Sequence, residues 1–136
     1  MNEIRAVYAV YGEQSHFVET KRSIISLRNT HPEAVVECFT TPDGAQHFMG
    51  MDVNIRTIHG FNPRKTDWHD PYFKITAISN AATKPFVFLD NDTYIAGSLK
   101  ETWSMLHKFD MMGVLAPNSD SRIVLGVQSR HLVDRI

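Results

Sequence analysis

Continuous apolar runs alternate along this chain with stretches whose apolar residues recur every three or four positions, the respective signatures of buried strands and amphipathic helices. Residues 6–11 form a β-branched and aromatic run closed by Gly12, which predicts a buried first strand. Ser15 is placed to cap a helix running to about Asn29. Phe17, Val18, Ile24, Ile25 and Leu27 recur there at near-helical spacing, and Lys21, Arg22 and Arg28 suit the wet face. His31-Pro32 ends this helix, because the residue before a proline is pushed out of the α region. Residues 34–39 predict a second strand, Thr41-Pro42-Asp43-Gly44 a turn, and residues 53–58 a third strand.

After a loop over residues 60–69, Asp70-Pro71 combines an N-cap acid with proline at the first helical position. The helix it opens carries Tyr72, Ile75, Ile78 and Ala82 as its apolar stripe and breaks at Lys84-Pro85. Phe86-Val87-Phe88-Leu89 is apolar at every position, as a central parallel strand should be. Ser98 and Glu101 form a capping box ahead of Leu99, Trp103 and Leu106, and residues 111–116 and 123–127 are two further strand candidates. This alternation predicts an α/β fold with a mostly parallel central sheet and helices on both faces.

Composition bounds the possibilities. At 136 residues, the expectation is a single domain covering residues 1–136. Cys38 is the only cysteine, so no internal disulfide can form. It lies within an apolar run, where a thiol behaves as a small buried hydrophobe, and a reducing, cytoplasmic setting is the expectation. With 14 basic and 15 acidic residues and no basic run, nothing points to a nucleic-acid partner. No stretch approaches the roughly 18 apolar residues of a transmembrane segment, and residues 1–5 lack the pattern of a signal peptide.

The chemistry concentrates at Asp90-Asn91-Asp92, directly after the apolar run 86–89. In open α/β sheets ligands bind beyond the carboxyl ends of the strands. In extended backbone, residues two apart point to the same side, roughly 6.6 Å apart. Two carboxylates so placed repel unless a positive charge lies between them, and a hard divalent cation satisfies that need while leaving positions for diphosphate oxygens. The competing reading is a solvated acidic turn, and the apparent return to an extended pattern at Thr93-Tyr94-Ile95 argues against it. Ile95 stands where an EF-hand loop needs glycine, which excludes that motif.

Residues 86–95 resemble the DXD segment of GT-A glycosyltransferases. The first strand with Gly12 and its long helix, and a basic residue, Lys74, on the helix ahead of the DXD strand, are similar to the nucleotide-binding half of that family. The resemblance implies a Rossmann-like GT-A nucleotide-diphospho-sugar transferase fold, a nucleotide-sugar donor (most often a UDP-sugar) and Mn²⁺ or Mg²⁺ as cofactor. It also implies Asp92 as main metal ligand, Asp90 sharing the metal or contacting the ribose, and Asn91 near the ribose. Ala9, Val10 and Tyr11 would hold base and ribose, with Tyr11 either stacking on the base or packing in the core. Lys74 would reach the diphosphate or the sugar, or remain a solvated helix lysine. His131 is the late histidine that could add a metal ligand, and Asp120 is the carboxylate best placed to act as base in an inverting reaction.

Family members usually continue into an acceptor-binding half, so the acceptor is unassigned and donor hydrolysis is a close variant of the activity. A non-catalytic nucleotide-sugar-binding module needing a partner chain is the alternative, and a sheet edge paired in a homo-oligomer is compatible with either. Arg64 and Lys65 in the central loop suit phosphate or solvent equally. There is no Walker A sequence, G-x-G-x-x-G, H-E-x-x-H or G-x-S-x-G, so other nucleotide, zinc and serine-hydrolase signatures are missing.

Overall fold

Four parallel strands in the order β3-β2-β1-β4 form the sheet on which the rest of the chain is arranged. The computed structural model describes residues 3–61, 71–106, 108 and 109. The chain divides into two units, Met1–Met105 and Leu106–Ile136, and the architecture below is that of the first. Its elements are β1 (Arg5–Val10), α1 (Gln14–Thr30), β2 (Val35–Thr40), a 3₁₀ turn (Gly44–Phe48), β3 (Asn54–Thr57), α2 (Pro71–Ala81), β4 (Val87–Phe88) and α3 (Lys100–Met105). Helices cover both sheet faces, giving a Rossmann-like α/β arrangement.

β1 is central because every residue from Ala6 to Val10 can be buried, and it pairs along its whole length with β2, from Arg5↔Val35 to Val10↔Thr40. Side chains alternate across a strand. On one face Val7 and Ala9 of β1 and Phe39 of β2 pack against Phe73, Ala77 and Ala81 of α2. On the other, the Tyr8 hydroxyl bonds Ser23 of α1 at 2.9 Å. Cys38 is fully buried, and burial pushes its thiol up to about 12, which leaves it inert as a nucleophile.

Several expected boundaries shift. The α1 N-cap is Glu13 rather than Ser15, with no side-chain cap bond, because Gly12 at φ +96° turns the chain early enough for the helix to begin at Gln14. His31 does end α1, its N–H bonding Leu27 O at 2.7 Å. The larger correction concerns α2. Tyr72, Ile75 and Ile78 are 75%, 59% and 37% exposed, and the buried stripe is Phe73, Ala77 and Ala81. Two alanines at four-residue spacing let the helix lie close on Val7 and Ala9, which the bulkier stripe would prevent.

Among the described residues β4 pairs with β1 alone, and Phe86, Val87 and Phe88 are half-buried. The strand candidates 111–116 and 123–127 lie outside the described residues.

The 3₁₀ turn packs tightly beneath α1. A Cβ at Gly44 would run into Thr40 Oγ1 and come within 2.9 Å of the Phe17 ring, both of them buried. Gly44→Ala is therefore expected to destabilise the fold by about 1–3 kcal/mol through overpacking. Chemical denaturation checks this, and an unchanged midpoint would show that Thr40 and Phe17 give way freely.

Candidate functional site

The sheet order creates one switch point. β1 pairs with β2 on one side and with β4 on the other, so the strand order reverses between β1 and β4 and their carboxyl ends lie side by side. The register Ala6↔Val87 and Val7↔Phe88, extended by the bond from Leu89 N to Val7 O at 3.0 Å, sets the residues after Leu89 beside the end of β1. Open α/β sheets bind ligands in the crevice that such a reversal opens.

The β1 side of this crevice is aromatic. Ala9 and Val10 are buried, Val10 completely. Tyr11 is half-buried, its ring 4.6 Å from Phe61 and 4.7 Å from Phe73 between centroids, and Phe61 lies 4.9 Å from Phe73. The packing role considered for Tyr11 is thus realised, and these edge and tilted contacts make a rigid apolar wall. His16 Nδ1 lies 3.2 Å from Tyr11 O, tying the first turn of α1 to the end of the wall.

The β4 side carries the acidic tripeptide, with different backbone geometry from that expected. Asp90 O accepts from Thr93 N at 3.1 Å and from Thr93 Oγ1 at 2.7 Å, so residues 90–93 form a hydrogen-bonded turn. Thr93-Tyr94-Ile95 does not resume as a strand, and the pleated spacing predicted for Asp90 and Asp92 does not apply. The threonine hydroxyl competes for the Asp90 carbonyl and closes the turn where a ladder would otherwise continue. Asp90 and Asp92 are exposed. Asn91 Oδ1 is shielded from solvent and has no hydrogen-bond partner.

Lys74 reaches this turn from α2. Its Nζ donates to Asp90 Oδ1 at 2.5 Å and stands 5.6 Å from the centre of the Phe88 ring, with both charged side chains about half exposed. Two of the predicted residues, Lys74 and Asp90, are thereby in direct contact, and Asn91 and Asp92 follow in the same turn. Asp120, His131, Arg64 and Lys65 lie outside the described residues.

The turn is anchored by a buried polar stripe of α1 that pattern reading missed. Ser23 Oγ lies 3.0 Å from Thr93 Oγ1, Ser26 Oγ accepts from Ile95 N at 2.9 Å, and His31 Nε2 accepts from Leu99 N at 2.9 Å. Ser23, Ser26 and His31 are at most 2% exposed. With Nε2 accepting, the proton of the neutral His31 ring sits on Nδ1. Burial pushes the Tyr8 hydroxyl up to about 12, against the opposing effect of its bond to Ser23, so Tyr8 stays protonated and can supply that chain with a proton. Serines flanking Ile24 on an inward helix face were the available signal.

No family profile, curated protein or solved structure matches this chain. Its chemistry therefore has to be read from the crevice itself. Among the described residues no three His, Cys, Asp or Glu side chains converge on a common point, and no described helix is long and apolar enough to cross a membrane. Among the described residues, the crevice offers two exposed carboxylates, the Lys74 ammonium and an aromatic wall. Such a set can hold a cation and an anion side by side.

Proposed function

We propose that this chain is a metal-dependent GT-A-type glycosyltransferase that binds a nucleotide-diphospho-sugar, a UDP-sugar foremost, and passes the sugar to an acceptor or to water. The observation that carries the reading is the position of Asp90-Asn91-Asp92 at the β1/β4 switch point, opposite the Tyr11 end of β1. Carboxylate and amide oxygens are the hard donors that Mn²⁺ and Mg²⁺ take, and a site with few protein ligands leaves room for phosphate oxygens and water. The exposed carboxylates of Asp90 and Asp92 fit such a donor set. When bound, the ion would neutralise charge on the departing diphosphate.

In this reading Asp92, exposed in the turn, is the main ligand, while Asp90 shares the ion or meets the ribose, and Asn91 borders the ribose. Ala9, Val10 and Tyr11, at the end of β1, hold the base and ribose, and the aromatic wall limits how far the base can enter. Lys74 supplies positive charge to the diphosphate. Asp120 as acceptor base and His131 as an additional ligand belong to the same proposal through family resemblance.

Calorimetric titration of UDP with and without Mn²⁺ tests the core. Mn²⁺ is expected to tighten UDP binding at least about tenfold, or roughly 1.4 kcal/mol, and Asp92→Ala is expected to remove that gain. Equal affinity in both conditions overturns the reading. Release of sugar from a panel of UDP-sugars then separates an enzyme from a binding module that needs a partner chain.

A further inference from the structure

We infer that Lys74 occupies the cation position on Asp90 until a metal and a diphosphate arrive together, so that the site takes the pair well and the free ion poorly. This deepens the reading above and rests on it. Lys74 Nζ lies 2.5 Å from Asp90 Oδ1, one of the two oxygens through which Asp90 could share an ion, and sets a like charge against any cation approaching that carboxylate. The two residues are 16 apart in sequence and come from different elements, so the contact is made by the fold rather than by helical spacing.

The pair is also easy to open. Lys74 and Asp90 are 50% and 56% exposed in side chain, and exposed ion pairs are weakly held. A lysine head is a compact point charge on a flexible stem, able to exchange one anionic partner for another without a fixed geometry. The Phe88 ring, 5.6 Å from Nζ, forms an apolar flank that keeps the ammonium over this crevice.

Charge balance then sets the order of events. Asp90 and Asp92 together carry two negative charges, and Lys74 cancels one of them. A bare divalent cation meets a half-neutralised site with a like charge beside it, and it gains the full attraction of both carboxylates only when the ammonium swings into solvent. A nucleoside diphosphate brings its own negative charge, onto which the ammonium can move, and the freed Asp90 carboxylate can turn to the metal. Metal and nucleotide thus raise each other's affinity by one common factor, and Lys74 enlarges it.

The test is a Mn²⁺ titration followed by electron paramagnetic resonance, with wild-type protein, Lys74→Met and Lys74→Arg, each with and without UDP. Thermal melts of the same samples establish that each variant is folded, as substitution of a half-exposed residue allows. Lys74→Met is expected to bind free Mn²⁺ roughly three- to tenfold more tightly, and UDP in saturating Mn²⁺ more weakly by a similar factor. Lys74→Arg is expected to keep the wild-type order. Free Mn²⁺ affinity that is unchanged or lower in Lys74→Met, or UDP affinity that does not fall, overturns the inference and leaves the donor-binding reading standing. Wild-type protein whose UDP affinity ignores Mn²⁺ overturns both.

Discussion

Phe73→Ala is expected to lower the unfolding free energy by about 3–5 kcal/mol, whereas Ile75→Ala, half a turn along the same helix, should change it by less than about 0.5 kcal/mol. Phe73 is 1% exposed and wedged between Tyr11, Phe61 and the sheet residues Val7, Ala9 and Phe39. Removing its ring leaves a cavity walled by a strand and two other rings, which cannot easily collapse. Ile75 is 59% exposed and alanine is the better helix former, so its loss has little to undo. Urea denaturation of the two variants decides the matter. Similar costs for both would mean that α2 is rotated and its outer face is also packed. The loss at Phe73 reaches the crevice as well, since Tyr11 leans on that ring, and UDP binding should weaken along with stability.

The same helix shows where the sequence is legible and where it is not. β1 could be read because burial on both faces demands an unbroken apolar run, β2 because only Glu37 interrupts its run, and Gly12 and His31-Pro32 punctuate them unmistakably. In α2, apolar residues occupy two adjacent stripes, and size suggests the wrong one. Large residues 72, 75 and 78 look like core, yet small ones pack closer, and nothing local reveals how near the sheet lies.

At the site, the tripeptide and its position after β4 were legible, because a polar cluster following an apolar strand is a local feature. The turn at 90–93 was not, since it depends on the Thr93 hydroxyl and its bond to Ser23, 70 residues away. Nor was the Lys74–Asp90 contact, which needs the α2–β4 geometry in hand. Long-range polar pairing leaves no periodicity to read.

Glu37 carries the second large effect. It sits in the middle of β2, 7% exposed, where an alternating pattern would put an apolar residue. Arg5 donates to its Oε2 from Nε at 3.1 Å and from Nη2 at 2.5 Å, and Arg56 Nη1 donates to Oε1 at 2.8 Å. Arg5 Nη1 also bonds Ala81 O at 2.7 Å and Lys84 O at 3.1 Å, caring for carbonyls at the end of α2. One carboxylate thus ties β1, β2 and β3 to the helix that delivers Lys74.

Burial alone would raise the Glu37 carboxyl, but hydrogen bonds and charge from Arg56 and Arg5 outweigh it and hold it below the usual 4.5. A carboxyl lowered on folding stabilises the fold above its unfolded value, and that stabilisation is lost as pH falls through the folded value. Glu37→Gln is expected to cost about 2–4 kcal/mol near neutral pH, less than a wholly buried pair because Arg56 reaches solvent. As pH falls below the usual 4.5 and on through the lowered folded value, the difference between variant and wild type should shrink, because the unfolded carboxyl takes up its proton first and the folded one follows. Denaturation midpoints from pH 7 down to pH 3 measure it. A gap that stays constant across that range would assign the cost to shape rather than charge, and β2 would owe its place to packing alone.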